Sequence, residues 1–139
     1  MRRRALPLLL LAAPAAAQPW NEPALPMAPG LAPIAPAGWR LLFAPGRAEP
    51  DAAQAAALRR IGTRLQERTA GRVTLFAEAA DSGDLSDTRR LSLARARAVS
   101  AALVEGGLAE RRVDIHPAGA GGDLVDILPP GVTRAVPSR

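Results

Sequence analysis

Arg95 is the residue of this chain whose type and setting best suit the capture of a small anion. Ser92, Ala96, Val99 and Leu103 are spaced by four, three and four residues. On a helix they form one small, apolar stripe able to lie tightly against a sheet. Arg95 falls beside that stripe, four residues after Leu91. This predicts a guanidinium at the edge of a packed face, free to point toward the preceding loop, where its planar fork can grip a carboxylate through two parallel hydrogen bonds. Arg89, Arg90 and Arg97 share the stretch and read as a solvated face. Asp84 and Asp87 read as shapers of the loop and helix start, where carboxylates meet free backbone N–H groups and the positive end of the helix dipole.

Other chemistry finds little support. His116 is the only histidine and cysteine is absent, so no metal site and no thiolate nucleophile is expected. No serine stands in a recognisable nucleophile elbow. The run Gly119-Ala120-Gly121-Gly122 follows a strand without opening a helix, and so lacks the context of a phosphate-binding loop. The chain reads as a non-enzymatic domain without a cofactor.

The elements that must position Arg95 follow from periodicity. Trp39, Leu41 and Phe43 alternate with Arg40 and Leu42, the period of a strand with one face buried. Asp51 and Gln54 form a capping box for a helix carrying Ala55, Leu58, Ile61 and Leu65 on one side, with Gly71 as its stop. A second strand is expected over 72–77, with Val73, Leu75 and Ala77 alternating against Thr74 and Phe76. After a loop over 78–87, the Arg95 helix begins at Ser86 or Asp87 as cap and stops at Gly106-Gly107. Val113, Ile115 and Pro117 mark a third strand, and Leu124 to Leu128 a short fourth. The expected order is βαβαββ, an α+β fold in which a mixed sheet carries two helices on one face. The expected core is Trp39, Leu41, Phe43, Leu58, Ile61, Leu65, Val73, Leu75, Ala96, Val99, Leu103, Val113 and Ile115.

The ends and the charge narrow the setting. Three arginines precede an apolar run that closes on Ala15-Ala16-Ala17, the three-part form of a secretory signal peptide over residues 1–17. The run falls short of the ~20 apolar residues that span a bilayer, and no cysteine follows it to be acylated. The mature protein is expected to begin at Gln18, in the periplasm of a Gram-negative bacterium, with no membrane span after cleavage. Removing Arg2, Arg3 and Arg4 from the 18 basic residues leaves 15 against 13 acids. That near balance and the scarcity of aromatic residues argue against nucleic acid as a partner. Residues 18–37 carry a proline every three or four positions and read as an extended linker. Residues 38–130 form the domain, and 131–139 read as a flexible tail.

The stretch Leu91, Ser92, Arg95, Ala96, Val99 and Leu103 resembles the pattern LSxxRAxxV, followed by leucine four residues on, of the OmpA-like peptidoglycan-binding domain. The resemblance covers the whole βαβαββ unit. It implies a periplasmic envelope protein, associated with the cell wall or outer membrane, that binds the diamino-acid stem peptide of peptidoglycan without covalent attachment. Arg95 would hold the ligand's carboxylate, and Arg95→Ala would abolish binding while leaving the fold intact. Counting back along the family's pattern, Gly83 matches its glycine, Thr88 stands at its asparagine and Ala80 at its aspartate, which holds the ligand's ammonium group. Asp81, one position on, could substitute if the loop shifts. The family's later helix, with its further arginine near the last strand, is missing. The ligand set implied is Arg95, Asp81, Thr88 and Gly83. The alternative is an OmpA-like scaffold or protein-interaction module of the envelope that has lost peptidoglycan binding.

Overall fold

The computed structural model describes residues 27–134. The expected signal peptide over 1–17, residues 18–26 of the proline-rich stretch and residues 135–139 lie outside them. Strands β1 (Leu31–Pro33), β2 (Trp39–Leu42), β3 (Val73–Ala79), β4 (Val113–Ala120) and β5 (Leu124–Leu128) alternate with helices α1 (Ala52–Arg68) and α2 (Leu85–Glu105), and a single 3₁₀ turn (Glu110–Arg112) precedes β4. The sheet runs in the order β1-β2-β5-β3-β4. Only β3 and β4 are parallel; β1–β2, β2–β5 and β3–β5 are antiparallel. From β2 onward this is the expected βαβαββ order and mixed sheet, with one added strand.

That added strand lies where a linker was expected. Leu31 is buried and pairs with Leu41, and Met27 and Ala28 pack against the core. Gln54 Nε2 also donates to the Pro29 carbonyl at 2.8 Å. Proline spacing is misleading here because an edge strand needs hydrogen bonds on one side only, so Pro33 is tolerated in β1. At the other end, the stretch expected to be a flexible tail is tied down as far as Arg134, which pairs with Glu78 and Asp126.

The capping box of α1 is present: Gln54 N donates to Asp51 Oδ1 at 2.8 Å, and Asp51 N to Gln54 Oε1 at 3.0 Å. The helix ends at Arg68 with Thr69 as its C-cap, ahead of Gly71. The N-cap of α2 is Asp84 rather than Ser86 or Asp87, because its Oδ1 accepts from both Ser86 N and Asp87 N, at 2.8 and 3.2 Å.

Ala96, Val99 and Leu103 of α2 are fully buried with Leu58, Ile61 and Leu65 of α1 and with Val73, Leu75, Val125 and Ile127 of the sheet. Val113 and Ile115, on edge strand β4, are only partly buried. The two helices touch backbone to backbone: a Cβ on Gly62 would overlap the Leu103 carbonyl, and one on Gly106 the carbonyl of Arg59. Close approach of this kind leaves no slack in the position of α2. The angular position of Arg95 is therefore set by the packing of the whole helix pair.

Candidate functional site

Arg95 does not stand at the edge of the packed face. It is 0% exposed, and its guanidinium fills a ring of acceptors drawn from three places in the chain. Nε donates to the Arg47 carbonyl at 2.7 Å, and Nη2 to that of Ala44 at 3.2 Å, both in the loop after β2. Nη1 donates to the Glu78 carbonyl in β3 at 3.0 Å and to Asp123 Oδ1, just before β5, at 2.8 Å. The Phe43 ring lies 4.9 Å beneath it. A guanidinium carries five N–H donors, and four of these contacts are internal. The expectation of a free fork gives way because the 44–47 loop and Asp123 close around the side chain.

Asp123 is the residue that sequence reasoning missed. Its carboxylate, 22% exposed, takes Arg95 Nη1 and also the backbone N–H of Ala80 at 3.1 Å through the same oxygen. Its carbonyl accepts from Phe43 N at 2.9 Å. The hydrogen bond from Arg95, seconded by that from the Ala80 amide, holds the carboxyl below its ordinary range. The available signal was an acid at the start of the last strand, in the region where the resembling family keeps an arginine.

The other expected ligand residues serve local structure. Asp81 is exposed, and its Oδ1 accepts Gly83 N at 2.9 Å in an Asx turn. Gly83, at φ +85°, makes the turn that a side chain would strain. Thr88 is buried, donating to the Asp84 carbonyl at 2.9 Å and meeting Ser82 Oγ at 3.2 Å, so that it stitches the loop to α2. Arg97 is exposed, as expected, and so are Arg89 and Arg90, the last paired with Asp87 at 3.2 Å. His116 is exposed beside Asp114 and stacks on Phe76.

A second polar cluster lies on the sheet face turned away from the helices. Arg40 grips Asp126 through two bonds of 2.7 and 2.9 Å. Arg134 adds a third at 3.1 Å and reaches Glu78 Oε1 at 2.6 Å. Among the described residues no group of His, Cys, Asp or Glu is placed to hold a metal ion, and no helix is long and apolar enough to cross a membrane.

A mixed sheet with two helices and a buried arginine entering from the second helix defines an α/β sandwich of the OmpA-like class. The OmpA family model matches residues 42–128, and the chain belongs to the OmpA family. Among solved structures it is similar to the peptidoglycan-associated lipoprotein from Burkholderia pseudomallei, at 14% identity and a TM-score of 0.55, over 64% of this chain and 87% of that one. It is also similar to the OmpA-like domain of FopA1 from Francisella tularensis, at 18% identity and a TM-score of 0.52, over 64% and 68% of the two chains. No curated protein matches.

Proposed function

We propose that this chain is a non-enzymatic OmpA-family module of the Gram-negative cell envelope that acts as a scaffold or protein-interaction domain and does not take up stem peptide at Arg95. The observation that carries the reading is the bridge made by Asp123 between Arg95 Nη1 and Ala80 N. Those are the two positions that the family resemblance assigns to the ligand, and here an internal carboxylate takes both. Exchanging Asp123 for a ligand's carboxylate returns the same hydrogen bonds and adds the cost of association, on the order of 4 kcal/mol or more. Ala80 offers no acid to the ligand's ammonium group, and Asp81 spends an oxygen on its own turn. Family membership and the arginine-rich, apolar amino terminus ending in small residues support the envelope setting.

Sedimentation with purified sacculi tests the reading. The unaltered protein is expected to stay in the supernatant, and the double variant Ala80→Asp, Asp123→Ala to be retained, because it frees the fork and restores the acid. Retention of the unaltered protein that free diaminopimelate competes away would overturn the proposal in favour of stem-peptide binding. Retention that only salt removes would be diffuse charge attraction.

A further inference from the structure

We infer that the segment after β5, Pro129 to Arg134, is a strap that keeps the Gly121–Asp123 turn, and through it the Asp123 carboxylate, closed on Arg95. The inference rests on the closed-clamp reading above and adds what holds the clamp shut. Glu78 is the joint. Its Oε1 takes Arg134 Nη2 at 2.6 Å, and its Oε2 takes the backbone N–H of Gly122 at 2.9 Å. The residue after Gly122 is Asp123, which bonds Arg95 at 2.8 Å. Glu78 also gives its carbonyl to Arg95 at 3.0 Å, so one residue touches strap, turn and clamp.

The local sequence fits this arrangement. A Cβ on Gly121 would lie 2.5 Å from Glu78 Oε2, so the glycine run without a phosphate-loop context is small because a carboxylate packs against it. Glu78 keeps the regular alternation of β3 and points with Thr74 and Phe76, opposite Gly119, while the extra residue where the register shifts, Ala118, belongs to β4. Arg134 is fixed on its other side by Asp126 at 3.1 Å, and its guanidinium lies 5.7 Å from the centre of the Phe76 ring. The strap thus lies on the sheet face opposite the helices, while the residue it steadies acts on the helix side.

The consequence is that releasing Arg134 should loosen the turn without any ligand present. A hydrogen bond to a charged group is worth roughly a decade or more in an equilibrium. In the full-length protein, Arg134→Ala should speed amide exchange at Gly121 and Gly122, whose N–H groups bond the Ala79 carbonyl and Glu78 Oε2, about tenfold or more. It should likewise raise the rate at which phenylglyoxal labels Arg95, read by peptide mapping against Arg97 as the exposed reference. Glu78→Gln should act in the same direction while keeping an acceptor for Gly122 N. Unchanged exchange at the turn in both variants would overturn the strap. Faster exchange with Arg95 labelled no faster would show that the turn opens without uncovering the clamp, and would overturn it too. Should Arg134→Ala accelerate exchange at Leu58 and Leu75 as well, the whole domain has loosened and Glu78→Gln decides. Labelling of Arg95 in the unaltered protein at the rate of Arg97 would fail the closed-clamp reading itself, an outcome distinct from failure of the strap.

Discussion

Two arginine–aspartate pairs meet at the same short strand, β5, with Asp123 just before it and Asp126 within it, and they are built in opposite senses. In Arg95–Asp123 the cation is 0% exposed and the carboxylate 22% exposed; in Arg40–Asp126 the cation is 40% exposed and the carboxylate 0%. A buried guanidinium has more donors than one carboxylate can satisfy, and the chain supplies three backbone carbonyls, those of Ala44, Arg47 and Glu78. A buried carboxylate needs only donors, and Asp126 takes them from two arginines at the surface, Arg40 and Arg134. The first pair therefore ties together backbone from three elements, whereas the second ties side chains to one strand. Their consequences for stability should differ accordingly.

Arg95→Ala should break the comparison open most widely. It leaves three carbonyls and a carboxylate to find new donors and empties a space beside Phe43. A loss of about 3 kcal/mol is expected from breaking a buried pair and its hydrogen bonds. For a domain of this size that lowers the melting temperature by roughly 10–20 °C. This reverses the expectation drawn from the sequence, in which removing the side chain spared the fold. Melting unchanged from the unaltered protein would restore that expectation and return Arg95 to the role of a free ligand clamp.

Acid offers a narrower cut. The folded state holds the Asp123 carboxyl below its ordinary range, so its contribution is fully present above the unfolded value of about 4 and is lost as pH falls through the lower folded value. Asp123→Asn removes that contribution at every pH. The difference in denaturation midpoint between the unaltered protein and Asp123→Asn should be constant near neutrality and shrink below pH of about 4. A difference that stays constant down to pH ~2 would mean that the bonds to Arg95 and Ala80 do not favour the ionised form.

Much of the scaffold was legible because it is periodic. The α1 capping box, the Ser92 to Leu103 stripe and the alternating strands each encode their element within a few neighbouring residues. β1 was hidden because it ends on Pro33 within a run of regularly spaced prolines that resembles a spacer, and its one buried residue, Leu31, has no alternating partner within three residues of strand. The site was half legible. Arg95 was visible from its helix, but its fate is decided by Asp123, 28 residues away, and by carbonyls 48 and 51 residues back. No local pattern specifies a backbone carbonyl as a partner, since every residue carries one. Asp81 drew attention by standing next to the family's acidic position, yet an aspartate two residues ahead of a glycine finds its cheapest partner in the turn itself.

The smallest expected effect sharpens the comparison from the other side. Arg40→Ala removes a half-exposed cation from Asp126, which keeps Arg134 as its partner. Exposed partners of this kind contribute no more than about 1 kcal/mol, and salt screens part of it. The single variant should therefore lie close to the unaltered protein in urea. The double variant Arg40→Ala, Arg134→Ala is different in kind, because it leaves a buried carboxylate with neither of its guanidinium partners. Its loss should exceed the sum of the two single losses by about 0.5–3 kcal/mol, the coupling expected of residues in one network. Strict additivity in denaturation midpoints would mean that Asp126 is rehydrated when either arginine leaves, and the two pairs would then differ in degree of burial alone.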